Sequence, residues 1–142
     1  MERIERMARI YPQLMGRMGR MRTLVHDGMD LTYNQYKTLL TIADREDCSL
    51  GDLARELGVA MSSASQMVER LVGQGVVHRE QDAGNRRQLA IRLTPAGEAL
   101  VAELQRGILA GYARILERLG DEEQEVLVQS FENIARILGK LT

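Results

Sequence analysis

The sequence predicts a mainly α-helical fold carrying one small β-hairpin, with long helices at both ends of the chain. Three observations predict it. Apolar residues recur at spacings of three and four along both terminal stretches, the period of one helix face. Two short helical segments, "SLGDLARELG" and "AMSSASQMVERLVGQG", follow each other across a glycine-containing turn. Two strand-like stretches, "VVHREQ" and "QLAIRL", flank a turn around Gly84 and Asn85.

At 142 residues the chain suits a single domain with an ordinary core, too short to hold a second enzyme domain. With 44% hydrophobic and 27% charged residues and no apolar run of bilayer-spanning length, a water-soluble cytoplasmic protein is expected. The opening "MERIERMARIY" lacks the apolar centre of a signal peptide. A net charge of −1 gives no global nucleic-acid signature, so the distribution of charge has to carry any such reading. That distribution is uneven: Arg3, Arg6, Arg9, Arg17, Arg20 and Arg22 stand against Glu2 and Glu5, whereas "DEEQE" at 121–125 is acidic.

Taken in order, Ile4, Met7, Tyr11, Leu14, Met18, Met21 and Val25 form the first stripe. Pro12 either starts the main helix at its first position or bends a longer one, because it has no N–H to donate. Thr32 and Gln35 have the spacing of a capping box, which predicts a helix over 33–43. Ser49 caps the next, with Leu50, Leu53, Ala54 and Leu57 inward and Gly58 as the stop. In the following helix Ala64, Met67, Val68 and Leu71 point inward and Gly73 and Gly75 end it. Ser62, Ser63, Ser65, Gln66, Glu69 and Arg70 point outward.

The hairpin comes next, with Leu89, Ile91 and Leu93 on one face of its second strand and Asp82 to Arg87 as the turn. Thr94 caps a long helix that starts at Pro95, where a missing N–H costs least, and runs to about 119 on the stripe Val101, Leu104, Ile108, Tyr112, Ile115 and Leu119. Asp121 is expected to cap the last helix, whose stripe is Leu127, Phe131, Ile134, Leu138 and Leu141.

This order of elements is a winged helix-turn-helix. A helix with a small polar outer face fits a major groove, and a hairpin beside it reaches flanking phosphates or the minor groove, where arginine is attracted. Arg86 and Arg87 at the hairpin tip fit that role better than mere solubilisation, because they follow a helix-turn-helix. In the outward face Gln66 can pair bidentately with adenine, Ser62, Ser63, Ser65 and Arg70 can contact bases or phosphates, and Met61 can touch a thymine methyl.

The segments "LTYNQYKTLL", "LARELGVAMSSASQMVERLVGQGVVHRE" and "DAGNRRQLAIRLTPAG" resemble the MarR family of bacterial regulators, and the resemblance covers nearly the whole chain. It implies a homodimer with interleaved N- and C-terminal helices that places two winged helices on a palindromic operator in double-stranded DNA. Residues 1–30 and 95–142 would form the dimerisation helices, and 31–94 the DNA-binding lobe. The three apolar stripes agree, since they would otherwise face water. The resemblance also implies a small aromatic or phenolic effector between the dimerisation helices and the lobe, near Arg22, His26, Met29 and Tyr36. Two positions depart from the family pattern. Asn85 replaces the usual wing-tip aspartate with a weaker amide, and Ala60 stands where a capping Ser or Thr is common, a loss of about 1 kcal/mol.

The remaining chemistry-bearing residues have plainer readings. Cys48 reads as a small, partly buried side chain ahead of Ser49. His26 and His78 are too isolated for a metal site, and six methionines among the first 29 residues read as adaptable dimer filling. The sequence has no P-loop, dinucleotide glycine pattern, HExxH or nucleophile elbow, so neither a catalytic site nor a cofactor is expected. A sequence-specific, ligand-responsive repressor is the reading favoured here; a dimeric winged helix that binds proteins rather than DNA is the alternative.

Overall fold

The computed structural model describes residues 1–29, 31–82 and 85–142, with backbone alone at 81, 82 and 85–88. Its element order is α1 (Glu2–Val25), α2 (Tyr33–Ala43), α3 (Leu50–Leu57), α4 (Met61–Gly73), β1 (Val77–Asp82), β2 (Asn85–Leu93), α5 (Pro95–Leu116) and α6 (Asp121–Leu138). The expected mainly helical winged helix is what forms. The chain divides into two compact units, one of residues 28–107 and the other of residues 1–27 and 108–142, so α5 contributes to both.

In the first unit local signals set the helices. Thr32 and Gln35 close the capping box that starts α2, the Gln35 N–H donating to Thr32 Oγ1 at 3.2 Å and the Thr32 N–H to Gln35 Oε1 at 3.1 Å. Ser49 and Asp52 do the same for α3. Gly58 ends α3 at φ 65°, a left-handed conformation that costs glycine little. The core gathers Leu39, Ile42, Cys48, Leu53, Val68, Leu71, Val77 and Ile91, all buried.

Cys48 adds an element absent from the sequence reading. The Ile91 N–H donates to the Cys48 carbonyl at 2.7 Å, an isolated antiparallel bridge that seats the α2–α3 connection against the hairpin. Cys48 is therefore fully buried rather than partly so. β1 and β2 pair antiparallel from Val77↔Leu93 to Gln81↔Leu89, and an irregularity then brings Asp82 opposite Asn85. As a result Asn85, Arg86 and Arg87 belong by backbone to β2, not to the turn that the sequence predicts; Ala83 and Gly84 lie outside the described residues. Leu89, on the same strand face as Ile91, is 53% exposed, because it sits in the last regular pair before the turn.

At the start of α5 the Gly97 N–H donates to Thr94 Oγ1 at 3.1 Å, the expected cap, while the Thr94 hydroxyl donates to the Gly75 carbonyl at 2.6 Å. The Thr94 N–H donates to the Val76 carbonyl at 3.1 Å, so the helix start is fastened to the segment leaving α4.

In the second unit α1 runs unbroken past Pro12, which settles the choice left open for that residue in favour of a longer helix. α5 ends at Leu116, short of the expected 119, and its last turn tightens, with the Leu119 N–H donating to the Leu116 carbonyl at 2.9 Å. Gly120, not Asp121, is the N-cap of α6. Asp121 becomes the first helical residue, where with Glu122 and Glu123 it complements the positive end of the helix dipole instead of capping. The C-terminal part of α5 comes close to the end of α1: a Cβ on Gly111 would lie 2.5 Å from the Val25 carbonyl oxygen, so only glycine fits there. Much apolar surface in this unit stays open, including Ile4, Met7, Tyr11, Leu109, Val126, Ile134, Leu138 and Leu141.

Candidate nucleic-acid interface

The lobe packs α4 through Ala64, Val68 and Leu71, which are buried one turn apart along its inner face. That spacing turns Ser62, Ser63, Gln66 and Arg70 outward, and all four are exposed; Ser65 is half-buried and Met61 is exposed at the helix start. The sequence-predicted recognition face is thus one contiguous surface. Ala60 is the N-cap and provides no side-chain bond, so the first-turn N–H groups of α4 remain available to an external acceptor such as a phosphate oxygen. The side chains of Arg86 and Arg87 lie outside the described residues; their backbone places them on β2 next to the turn.

Among the described side chains of residues 31–94, every arginine except Arg70 is already paired with an acid. Arg79 on β1 pairs with Glu69 on α4, tying the hairpin to the recognition helix and neutralising an acid on its outward side. Arg92 bridges Asp47 at 2.6 Å and Glu80 at 3.0 Å, and His78 meets Glu80 at 2.6 Å. The His78 contact first, then Arg92, hold the Glu80 carboxyl below its ordinary range. Arg45 pairs with Glu56 at 2.9 Å, and Arg55 with Asp52 at 2.5 Å. Arg70, among the described residues, takes part in no hydrogen bond or ion pair. A paired cation gains little from a phosphate because it must first give up its acid; an unpaired one gains the full attraction. The sequence reading missed this network, whose one visible hint was the alternation of His78 and Glu80 on one strand face.

The four residues expected near an effector do not fall in one unit. Arg22 and His26 lie one turn apart at the end of α1, and Met29 and Tyr36 belong to the lobe. Burial, and secondarily the Arg22 charge, lower the pKa of His26. The unfolded chain therefore binds more protons than the folded one just below the ordinary histidine value of about 6.5, and stability falls as pH drops through that window. Urea titrations from pH 7.5 to 5 should show this acid loss in the native sequence and less of it in His26→Gln; equal losses would remove His26 as its cause.

Burial, then the Asp52 charge, push the Cys48 thiol up to about 11. At neutral pH its thiolate is scarce, on the order of one molecule in 10,000, and a thiol in that state is a poor nucleophile. An aromatic disulfide reagent should accordingly label folded protein at least about 100-fold more slowly than urea-unfolded protein. Release of bound DNA by peroxide from the native sequence but not from Cys48→Ser would contradict this inert role.

Comparison with known proteins agrees with this geometry. Residues 31–89 match the family model described as MarR family, a span that covers α2 to α4 and most of the hairpin. The transcriptional regulator HosA of Escherichia coli O157:H7 is 33% identical over 107 residues, which is 73% of this chain and 77% of HosA. The chain belongs to the MarR family. MarR-family membership makes it a DNA-binding transcriptional regulator and not an enzyme. The fold is shared with Rv1404 of Mycobacterium tuberculosis, at a TM-score of 0.78 and 24% identity over 96% of this chain and 94% of that one. It is shared also with BpsR of Bordetella bronchiseptica, at 0.64 and 21% identity over 90% and 91%; the DNA binding of BpsR is regulated by 6-hydroxynicotinic acid. No described helix is long and apolar enough to cross a membrane.

Proposed function

We propose that this MarR-family chain is a ligand-responsive repressor that works in the cytoplasm as a homodimer on a palindromic operator. The observation that carries the reading is the outward face of α4: exposed Ser62, Ser63, Gln66 and Arg70 on a helix locked from behind by Ala64, Val68 and Leu71. A rigidly backed polar helix is what reading base edges requires. Residues 1–30 and 95–142 serve as dimerisation segments and 31–94 as the reading lobe. Two copies of α4, about one DNA turn or 34 Å apart, enter successive major grooves. Gln66 reads adenine, Met61 a thymine methyl, and Ser62, Ser63, Ser65 and Arg70 hold bases and phosphates, while Arg86 and Arg87 follow the groove beside them.

The open apolar surface of α1, α5 and α6 supports the dimer, since patches of that extent are seldom left in water. Regulation follows from spacing. A small aromatic or phenolic acid held by Arg22, His26, Met29 and Tyr36 releases DNA if it favours a wrong separation of the two lobes by only a few kcal/mol. A guanidinium at Arg22 and an imidazole ring at His26 suit such an acid, and regulation of BpsR by an aromatic acid supports the class.

The direct test is fluorescence anisotropy on DNA from upstream of the protein's own gene against scrambled DNA, across a salt series. Tighter, steeply salt-dependent binding to the first is expected, followed by release on adding aromatic acids to the native protein and not to Arg22→Ala. Weak binding, equal on both duplexes and on a genome-wide selection of fragments, would instead favour a dimeric protein-interaction module.

A further inference from the structure

The hairpin that carries Arg86 and Arg87 is anchored on both of its faces. Arg79 stands opposite Ile91 in the strand register and pairs with Glu69 on α4. Its neighbours along β1 point the other way, so His78, Glu80 and Arg92 share the second face. The bridge from Cys48 to Ile91 brings the α2–α3 connection alongside β2, and one step along it Asp47 draws level with Arg92. The Arg92 Nη2 donates to Asp47 Oδ1 at 2.6 Å, and its Nε, shut off from solvent, lies 3.0 Å from Glu80 Oε2. One guanidinium thus joins the first strand of the hairpin to a segment outside it, a span that takes two nitrogens held in one rigid plane.

We infer that Arg92 and Asp47 are positioning residues for DNA binding: their ion pair, completed by Glu80, sets the angle of the hairpin on the lobe so that Arg86 and Arg87 meet the DNA beside the groove entered by α4. The inference rests on the hairpin role proposed above and names what aims it. A two-stranded hairpin is a pliant element on its own, with a twist that varies widely. The Arg79 pair restrains it from one face only. The Arg92 bridge holds it from the other, and together they favour one pose. Partly exposed ion pairs contribute little to stability, so the consequence of losing this one is geometric rather than a loss of fold. Arg92 itself adds no net positive charge to the DNA surface, because the two carboxylates it touches outweigh it.

The sign of one substitution separates aim from charge. Asp47→Asn removes an acid from a DNA-binding lobe, so electrostatics alone would tighten binding. Loss of aim would weaken it. The probe is a duplex enriched from random DNA by the native full-length protein, extended past the base pairs that the hairpins reach. On it D47N should bind at least about fivefold more weakly, the scale of coupling within one ion-pair network. Hydroxyl-radical cleavage should show the flanking backbone losing protection while the protection given by α4 stays. R92A should weaken binding to a similar extent and add little in the D47N background, and R92K should recover only part, because one ammonium cannot serve both acids. Native or tighter binding by D47N would overturn the proposal. So would additive losses in the double variant, or weakening by R92A alone, which would make Arg92 a phosphate contact. Native protein that leaves the flanks unprotected would instead refute the hairpin role itself, whatever the variants do. Urea midpoints check that each variant is folded under the conditions of binding; should D47N unfold, E80Q replaces it, with the same expected direction and the same overturning result.

Discussion

Gly97→Ala is expected to destabilise the protein by about 3 kcal/mol, the range of a severe overpacking change. An added Cβ would lie 2.0 Å from the Val76 carbonyl oxygen and 3.3 Å from a Leu93 methyl, and the carbonyl is not free to retreat. The Val76 carbonyl accepts from the Thr94 N–H, and Thr94 in turn binds the Gly75 carbonyl and caps α5. Relief of the clash would therefore lift the first turn of α5 from the segment that follows the recognition helix. Gly107→Ala is the control on the same helix. No atom lies within 4 Å of a Cβ there, and φ is not positive, so alanine should be neutral or stabilising by up to about 1 kcal/mol. Urea midpoints of the two variants decide the matter. Equal midpoints would show that the close approach at Gly97 is not rigid, and weaker DNA binding by Gly97→Ala at full folding would show that the strain is taken up in α4.

The contrast between these two glycines marks the boundary of what could be read from the chain. Where a signal is local, sequence and structure coincide: Thr32 and Gln35 start α2, Ser49 starts α3, and Gly58 stops it, because each acts on backbone groups within three or four residues. The inner and outer faces of α4 were legible for the same reason, since a helical period assigns every residue a side. Nothing within a few residues of Gly97 or Gly111 shows that a backbone from elsewhere will lie against it. Cys48 is a similar case: its bridge to Ile91 joins residues far apart in sequence, and only the fold turns a lone cysteine into a buried strand residue. The ion pairs Arg79–Glu69 and Arg92–Asp47 also depend on the register of the hairpin and its packing on α4 and the α2–α3 connection. Asp121 shows the limit even of local rules, because a glycine ahead of it took the capping position and left it inside the helix.

Arg87→Ala and Gln66→Ala should weaken operator binding in different ways, and the difference separates positioning from reading. Arg87 stands on the hairpin next to its turn, and its expected partner is a phosphate or the negative potential of the minor groove, neither of which identifies a base in the major groove. Its loss should lower affinity for operator and scrambled DNA alike, and reduce the salt slope by about one unit for each phosphate contact removed. Gln66 is uncharged, exposed, and one turn beyond Ser62 on the outward face of α4. Its loss should leave the slope unchanged but cost about 1–3 kcal/mol of discrimination at the base pair it reads, or about five- to 150-fold, and relax preference there. The paired arginines Arg79 and Arg92 provide an internal comparison. Because each already neutralises an acid, replacing either should change the salt slope less than replacing Arg87. Salt series for all four variants on operator and single-base-substituted duplexes would measure these quantities together. A slope that falls with Gln66, or a base preference that shifts with Arg87 alone, would exchange the two roles; no change in either variant would move the DNA surface away from α4 and the hairpin altogether.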